Sequence, residues 1–146
     1  MINTIMKLFV SKEKLFELMT YKVTTSRNIE DVVANVEKIC EANKFALLHD
    51  YVYHDIIKSK GFSIDKKVYI YEICQAKVAA LVLNEEPSFT PFMPCRIAIY
   101  EEGSHVRIST QNMELMLNSL DRKSEIFVST SELFSKLKFV MNEIKG

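Results

Sequence analysis

Tryptophan is absent from this 146-residue chain, and glycine, proline and cysteine occur three times each. With only Gly61, Gly103 and Gly146, neither a GxGxxG turn nor a P-loop can be assembled, which excludes nucleotide sites of those kinds. The scarcity of Pro and Gly also leaves no linker, low-complexity tract or repeat. Cys40, Cys74 and Cys95 are odd in number and widely spaced, so they form neither a disulfide framework nor a short-spaced zinc motif. Net charge is missing as well: nineteen basic residues balance nineteen acidic ones, removing the overall positive field that draws nucleic acid or anionic membranes. No apolar run approaches the roughly 18–20 residues that cross a bilayer. At the N-terminus the run from Ile5 to Val10 is interrupted by Lys7 and followed by Lys12, Glu13 and Lys14, unlike a secretory signal. These absences lead us to expect a cytoplasmic protein with reduced thiols and no membrane, nucleic-acid or metal partner.

What is present suits a well-packed domain. Apolar residues make up 48% of the chain and charged residues 26%, and a chain of this length buries roughly 70% of its unfolded surface. We read residues 1–19 as an extension, in which Ser11 caps a short helix burying Leu15, Phe16 and Met19, and residues 20–146 as one domain. A strand begins near Thr20. Ser26 or Asn28 then caps a helix whose stripe is Ile29, Val32, Val33, Val36, Ile39 and Cys40. Phe45–His49 reads as a buried strand, and Asp50 as the cap of a helix over Tyr51–Lys60 that Gly61 ends. Val68–Cys74, rich in β-branched and aromatic residues, is a strand, followed by a helix over Ala76–Asn84 and an irregular loop over Phe89–Pro94.

Arg96–Glu101 and His105–Thr110 flank Gly103 as a hairpin. Met113, Met116, Leu117 and Leu120 return to helical spacing, and Ser129 with Glu132 is positioned as the capping box of a last helix. Helix-connected strands with an appended hairpin imply an α+β fold: a mixed, largely antiparallel sheet with helices on one face.

Three stretches, KFALLHDYVYHDIIKSKGF, VYIYEICQAKVAALVL and FTPFMPCRIAIYEEGSHVRIS, follow one another in a manner that resembles the domain-of-unknown-function 302 family, from about Tyr21 to Leu117. The marks that carry the likeness are Cys74 opening a helix and Pro94-Cys95 opening a strand. The resemblance implies a compact domain with a curved sheet like that of TATA-binding-protein-type folds, commonly homodimeric, and no established reaction. The family pattern at the first cysteine usually reads Cys-Asn-Pro-Lys, whereas this chain has Cys74-Gln75-Ala76-Lys77. The missing proline leaves the helix start less preset.

Cys74 sits where a strand meets a helix N-terminus, whose partial positive charge favours a thiolate. Cys95 heads a strand with Ile97 and Ile99 on its own face. Three readings stay open: two core residues, a shared small-ligand site, or a redox pair in which Cys74 is the catalytic nucleophile and Cys95 resolves it. The ligand-site reading takes in Cys74, Cys95, His49 at a strand end and Lys77 on the adjoining helix, with the ligand and any cofactor unknown. His54 reads as a surface helix residue, and His105 with Arg107 as a solvated edge or a small anion-contacting patch. Tyr69 and Tyr71 share one strand face while Val68 and Ile70 share the other, so both faces should be covered, the aromatic one by a second subunit.

Overall fold

A computed structural model describes residues 10–146, so most of the Ile5–Val10 run lies outside the described residues. Five strands form one sheet in the order β1-β5-β4-β3-β2, antiparallel at every pairing, where the sequence had suggested a mixed but largely antiparallel arrangement. The strands are β1 (Thr20–Thr25), β2 (Ala46–Val52), β3 (Val68–Cys74), β4 (Cys95–Glu102) and β5 (His105–Gln111). Period-two alternation sends Tyr71, Ile73, Ile97, Ile99, Val106 and Ile108 to one buried face.

The helices are α1 (Lys12–Met19), α2 (Ile29–Val33), α3 (Val36–Ala42), α4 (Tyr53–Ser59), α5 (Ala76–Glu85), α6 (Glu114–Leu117) and α7 (Glu125–Lys145). The core is closed by α7, which buries Ile126, Thr130, Leu133, Phe134, Leu137, Val140, Met141 and Ile144 at helical spacing. Its true start is Ser124, whose Oγ accepts the Phe127 N–H at 3.2 Å. The Ser129/Glu132 box therefore lies inside a helix whose apolar stripe begins a turn earlier.

The expected helix through Ile29–Cys40 is two helices, broken by a turn at Ala34-Asn35, while its stripe stays buried on both sides of the break. After α3, Lys44 takes a left-handed φ of 65° and the Phe45 N–H returns to the Cys40 carbonyl at 2.9 Å, a helix stop made without glycine. Asp50 caps nothing: β2 runs through it to Val52, opposite Tyr71, and α4 begins at Tyr53 with no side-chain cap. The hairpin turn is tighter than expected, since Glu102 pairs with His105 across Gly103-Ser104. Gly103 has a φ of +61°, which the turn requires. The proline-containing segment Pro87–Phe92 forms a 3₁₀ helix, and the Met93–Pro94 bond that follows is cis.

Two other expectations fail. Tyr71 is 8% exposed and belongs to the core beneath the chain's own helices, with Tyr69 packed against it, so the aromatic face needs no second subunit. In α1, Phe16 and Met19 remain 54% and 50% exposed, because this helix lies beside β1 rather than over the core. Among the described residues, no helix is long and apolar enough to cross a membrane.

Candidate functional site

The sheet ends where β3 runs into α5 and where the 3₁₀ segment delivers the chain into β4. Ile73 pairs with Cys95, which makes Cys74 the next residue along and puts both cysteines at one rim. There they line a cavity of about 60 Å³, together with Val78, Ala79 and Val82 of α5, Phe89, Phe92, Met93 and Pro94 of the preceding segment, and Thr130 and Leu133 of α7. Among the described residues, no charged side chain lines it. Through Phe89, Phe92, Pro94 and Met116 the cavity adjoins a groove of about 740 Å³, walled on its far side by Phe16, Met19 and Leu115.

The local sequence explains this hollow. Small Ala79 and the short Cys74 and Cys95 side chains stand where larger residues would fill the space between α5 and the sheet end. Pro91 and Pro94 restrict the covering segment. Gln75 is the residue before α5, and its side chain makes no cap bond; instead its Nε2 donates to the Asn43 carbonyl at 3.4 Å.

Desolvation favours the protonated form of both thiols. Burial pushes the Cys95 thiol up to about 11, with Cys74 nearby adding to the rise, and burial also raises Cys74. The direction is opposite to the one a helix N-terminus favours, and its cause is desolvation. In a regular ladder, directly opposed residues share a face and the next residue takes the other. Cys95 opposes Ile73, and Cys74, the last residue of its strand, lies one position further along beside the same cavity. All three cysteines are free thiols. Cys40 lies away from the cavity, fully buried in the core, with its thiol raised to about 11.

Two of the residues read from sequence are not brought to this cavity. His49 opposes Glu72 on the sheet face turned from the helices, after a register shift between Leu47 and His49, and packs edge-on against Tyr51 at 4.4 Å. Lys77 lines a separate groove between α5 and α7, with Glu125, Glu132 and Lys136. His54 is not a free surface residue: the Val68 N–H donates to its Nδ1 at 3.1 Å, and its ring meets Tyr69 edge-on at 5.3 Å. Arg107 is engaged by Glu102 and Thr24, and Arg96 by Glu72 at 3.2 Å, so the basic residues of the open face are largely countered. Among the described residues, no group of three or more His, Cys, Asp or Glu side chains is placed to hold a metal ion.

One cavity residue escaped sequence reasoning. Thr130 is 2% exposed and its Oγ1 has no hydrogen-bond partner among the described residues. The available signal was a hydroxyl within the apolar stripe of α7, four residues after Ile126 and three before Leu133.

The family model described as "Domain of unknown function DUF302" matches residues 21–144, extending the likeness read from sequence through the last helix. None of the curated proteins matches the chain. A solved structure described as an uncharacterized conserved protein DUF302 from Bacillus stearothermophilus superimposes with a TM-score of 0.73 at 19% identity, covering 86% of this chain and 97% of that one. At that identity the structural likeness speaks for the fold, while the family match spans nearly the whole sheet and α7. The chain belongs to the DUF302 family.

Proposed function

We propose that this protein is a non-catalytic binding module that takes a small, largely apolar ligand into the cavity between Cys74 and Cys95. The observation carrying this reading is that the two cysteines at the sheet rim line one uncharged hollow that adjoins an exposed apolar groove. Concave apolar sites with a few polar atoms are the usual form of small-molecule sites. Raised thiol pKa values favour holding a ligand over redox cycling. His49 has no part in the site proposed here, and Lys77 stands beside it in the separate groove between α5 and α7.

We extend the proposal to a homodimer, on different grounds from the aromatic strand. Phe16, Met19, Phe92 and Leu115 are all 45% exposed or more around the large groove, and clustered exposed apolar side chains mark contact surfaces. Three free thiols suit the reducing cytoplasm.

Native mass spectrometry of protein purified without reductant or chelator tests the binding reading. A co-purifying small molecule is expected, and Ala79→Phe, which fills the hollow, should abolish it. A folded wild-type protein that retains nothing, and whose thermal midpoint shifts with no member of a panel of small apolar compounds, would refute it.

A further inference from the structure

A threonine within a helix ordinarily satisfies its hydroxyl on the carbonyl four residues earlier. Thr130 has Ile126 at that position, yet its Oγ1 is buried without a partner. Buried polar groups are nearly always paired, and an exception calls for an explanation such as a bound molecule. Thr130 lines the same cavity as the two thiols. Ser131 Oγ, the other buried hydroxyl without a partner among the described residues, does not line it.

The remaining polar atoms around the cavity narrow the choice of guest. Both thiols hold their protons at neutral pH and donate only weakly. The Gln75 Nε2 donates to the Asn43 carbonyl at 3.4 Å, which ties that amide to the end of α3. With no charge on the walls among the described residues, a carboxylate or an amine would be buried without a counter-ion. Building on the binding reading above, we infer that Thr130 is the specificity residue of this site. Its hydroxyl donates a hydrogen bond to the single acceptor of a neutral, otherwise hydrocarbon ligand, a small carbonyl compound or one of equivalent shape.

Two liquids with the same branched skeleton serve as probes: 2-butanone, and 2-methyl-1-butene, in which a methylene replaces the carbonyl oxygen. Binding is read from the NMR shifts of the Val78, Val82 and Leu133 methyls. Both probes should move these signals in the wild-type protein. Thr130→Val keeps the shape and removes the donor, so it should weaken 2-butanone about tenfold, the effect of one lost hydrogen bond, and leave the alkene unchanged. Thr130→Ser should restore 2-butanone binding. If Thr130→Val affects both probes equally or neither, or if a crystal soaked in 2-butanone shows only a water on Oγ1, Thr130 is not the anchor although the cavity still binds. If neither probe moves the wild-type methyls, the binding reading itself falls and this inference with it.

Discussion

Cys40, Cys74 and Cys95 differ in surroundings more than in sequence context, and their chemistry follows the surroundings. Desolvation raises all three thiols. Iodoacetamide labelling should therefore show Cys74 reacting with a pH midpoint above the ordinary value of 9.0, Cys95 reacting more slowly, and Cys40 not at all until the protein unfolds. Rapid labelling of Cys74 at neutral pH would instead support the thiol enzyme that the sequence allowed. The same shifts govern alkaline stability. Thiols at about 11 in the fold against 9.0 ordinarily, and Tyr71 at about 12 against 10.0, keep their protons longer when folded. The unfolded chain loses those protons first, so stability should be flat to about pH 8.5. It should then fall through pH 9–11, by at most roughly 1.4 kcal/mol per unit for each linked group. Urea midpoints measured from pH 8 to 11 check this, and Cys95→Ala should flatten the decline; a midpoint that does not fall would show that these groups are not desolvated. The two cysteines were legible as a pair because each stands at an element boundary. Thr130 was not, since a threonine in an amphipathic stripe looks the same whether or not its hydroxyl finds a partner.

Elements were legible where local pattern and tertiary packing agree. Val68–Cys74 and the hairpin around Gly103 emerge with nearly the expected bounds, because alternation and turn chemistry specify them together. The errors lie where a local signal had a competitor. Asp50 has the chemistry of a cap, but pairing with β3 carries the strand past it. The stripe from Ile29 to Cys40 is continuous, and periodicity cannot register a turn that keeps both halves in phase. Ser129 and Glu132 match a capping box, yet Ser124 offers the same hydroxyl one turn earlier, where Ile126 is also buried. The start of α5 yields a prediction. Ala76 is its first residue, and Gln75 before it has φ −106° and ψ 102°, extended values that a following proline tolerates. Ala76→Pro should stabilise the protein by about 0.5 kcal/mol through a stiffer unfolded chain. A loss of more than 1 kcal/mol by thermal or urea denaturation would mean that the Ala76 N–H has a partner needed for folding.

At the level of the whole molecule, the helices cover one sheet face and leave the other to solvent and a broad groove. Val68, Ile70, Ala98 and Tyr100 are part-buried on that open face, and Phe16, Met19 and Leu115 edge the groove beside it. Static light scattering should give twice the chain mass at micromolar concentration. Leu115→Glu, at a position 57% exposed, should return the monomer without loss of thermal stability beyond that of dissociation. A wild-type monomer would remove the second subunit from the proposal and leave the cavity unaffected. The fold class was readable at this scale because helices alternate with strands and a hairpin joins the last two; the strand order was not, since β1 and β2 follow each other in the chain yet lie at opposite edges of the sheet. The distribution of residues between the two faces was not, because alternation says which side chains go together and not which face the helices will choose.

The central claim concerns space: that the sheet rim between Cys74 and Cys95 is hollow and receptive to a small apolar guest. Xenon enters apolar cavities without needing any particular polar partner, so diffraction from a crystal held under xenon pressure probes that space directly. We expect a single strong xenon peak bounded by Cys74, Cys95, Val78 and Thr130, and its loss in Ala79→Phe. Side chains collapsed across the rim, with xenon absent or bound only elsewhere, would contradict the account.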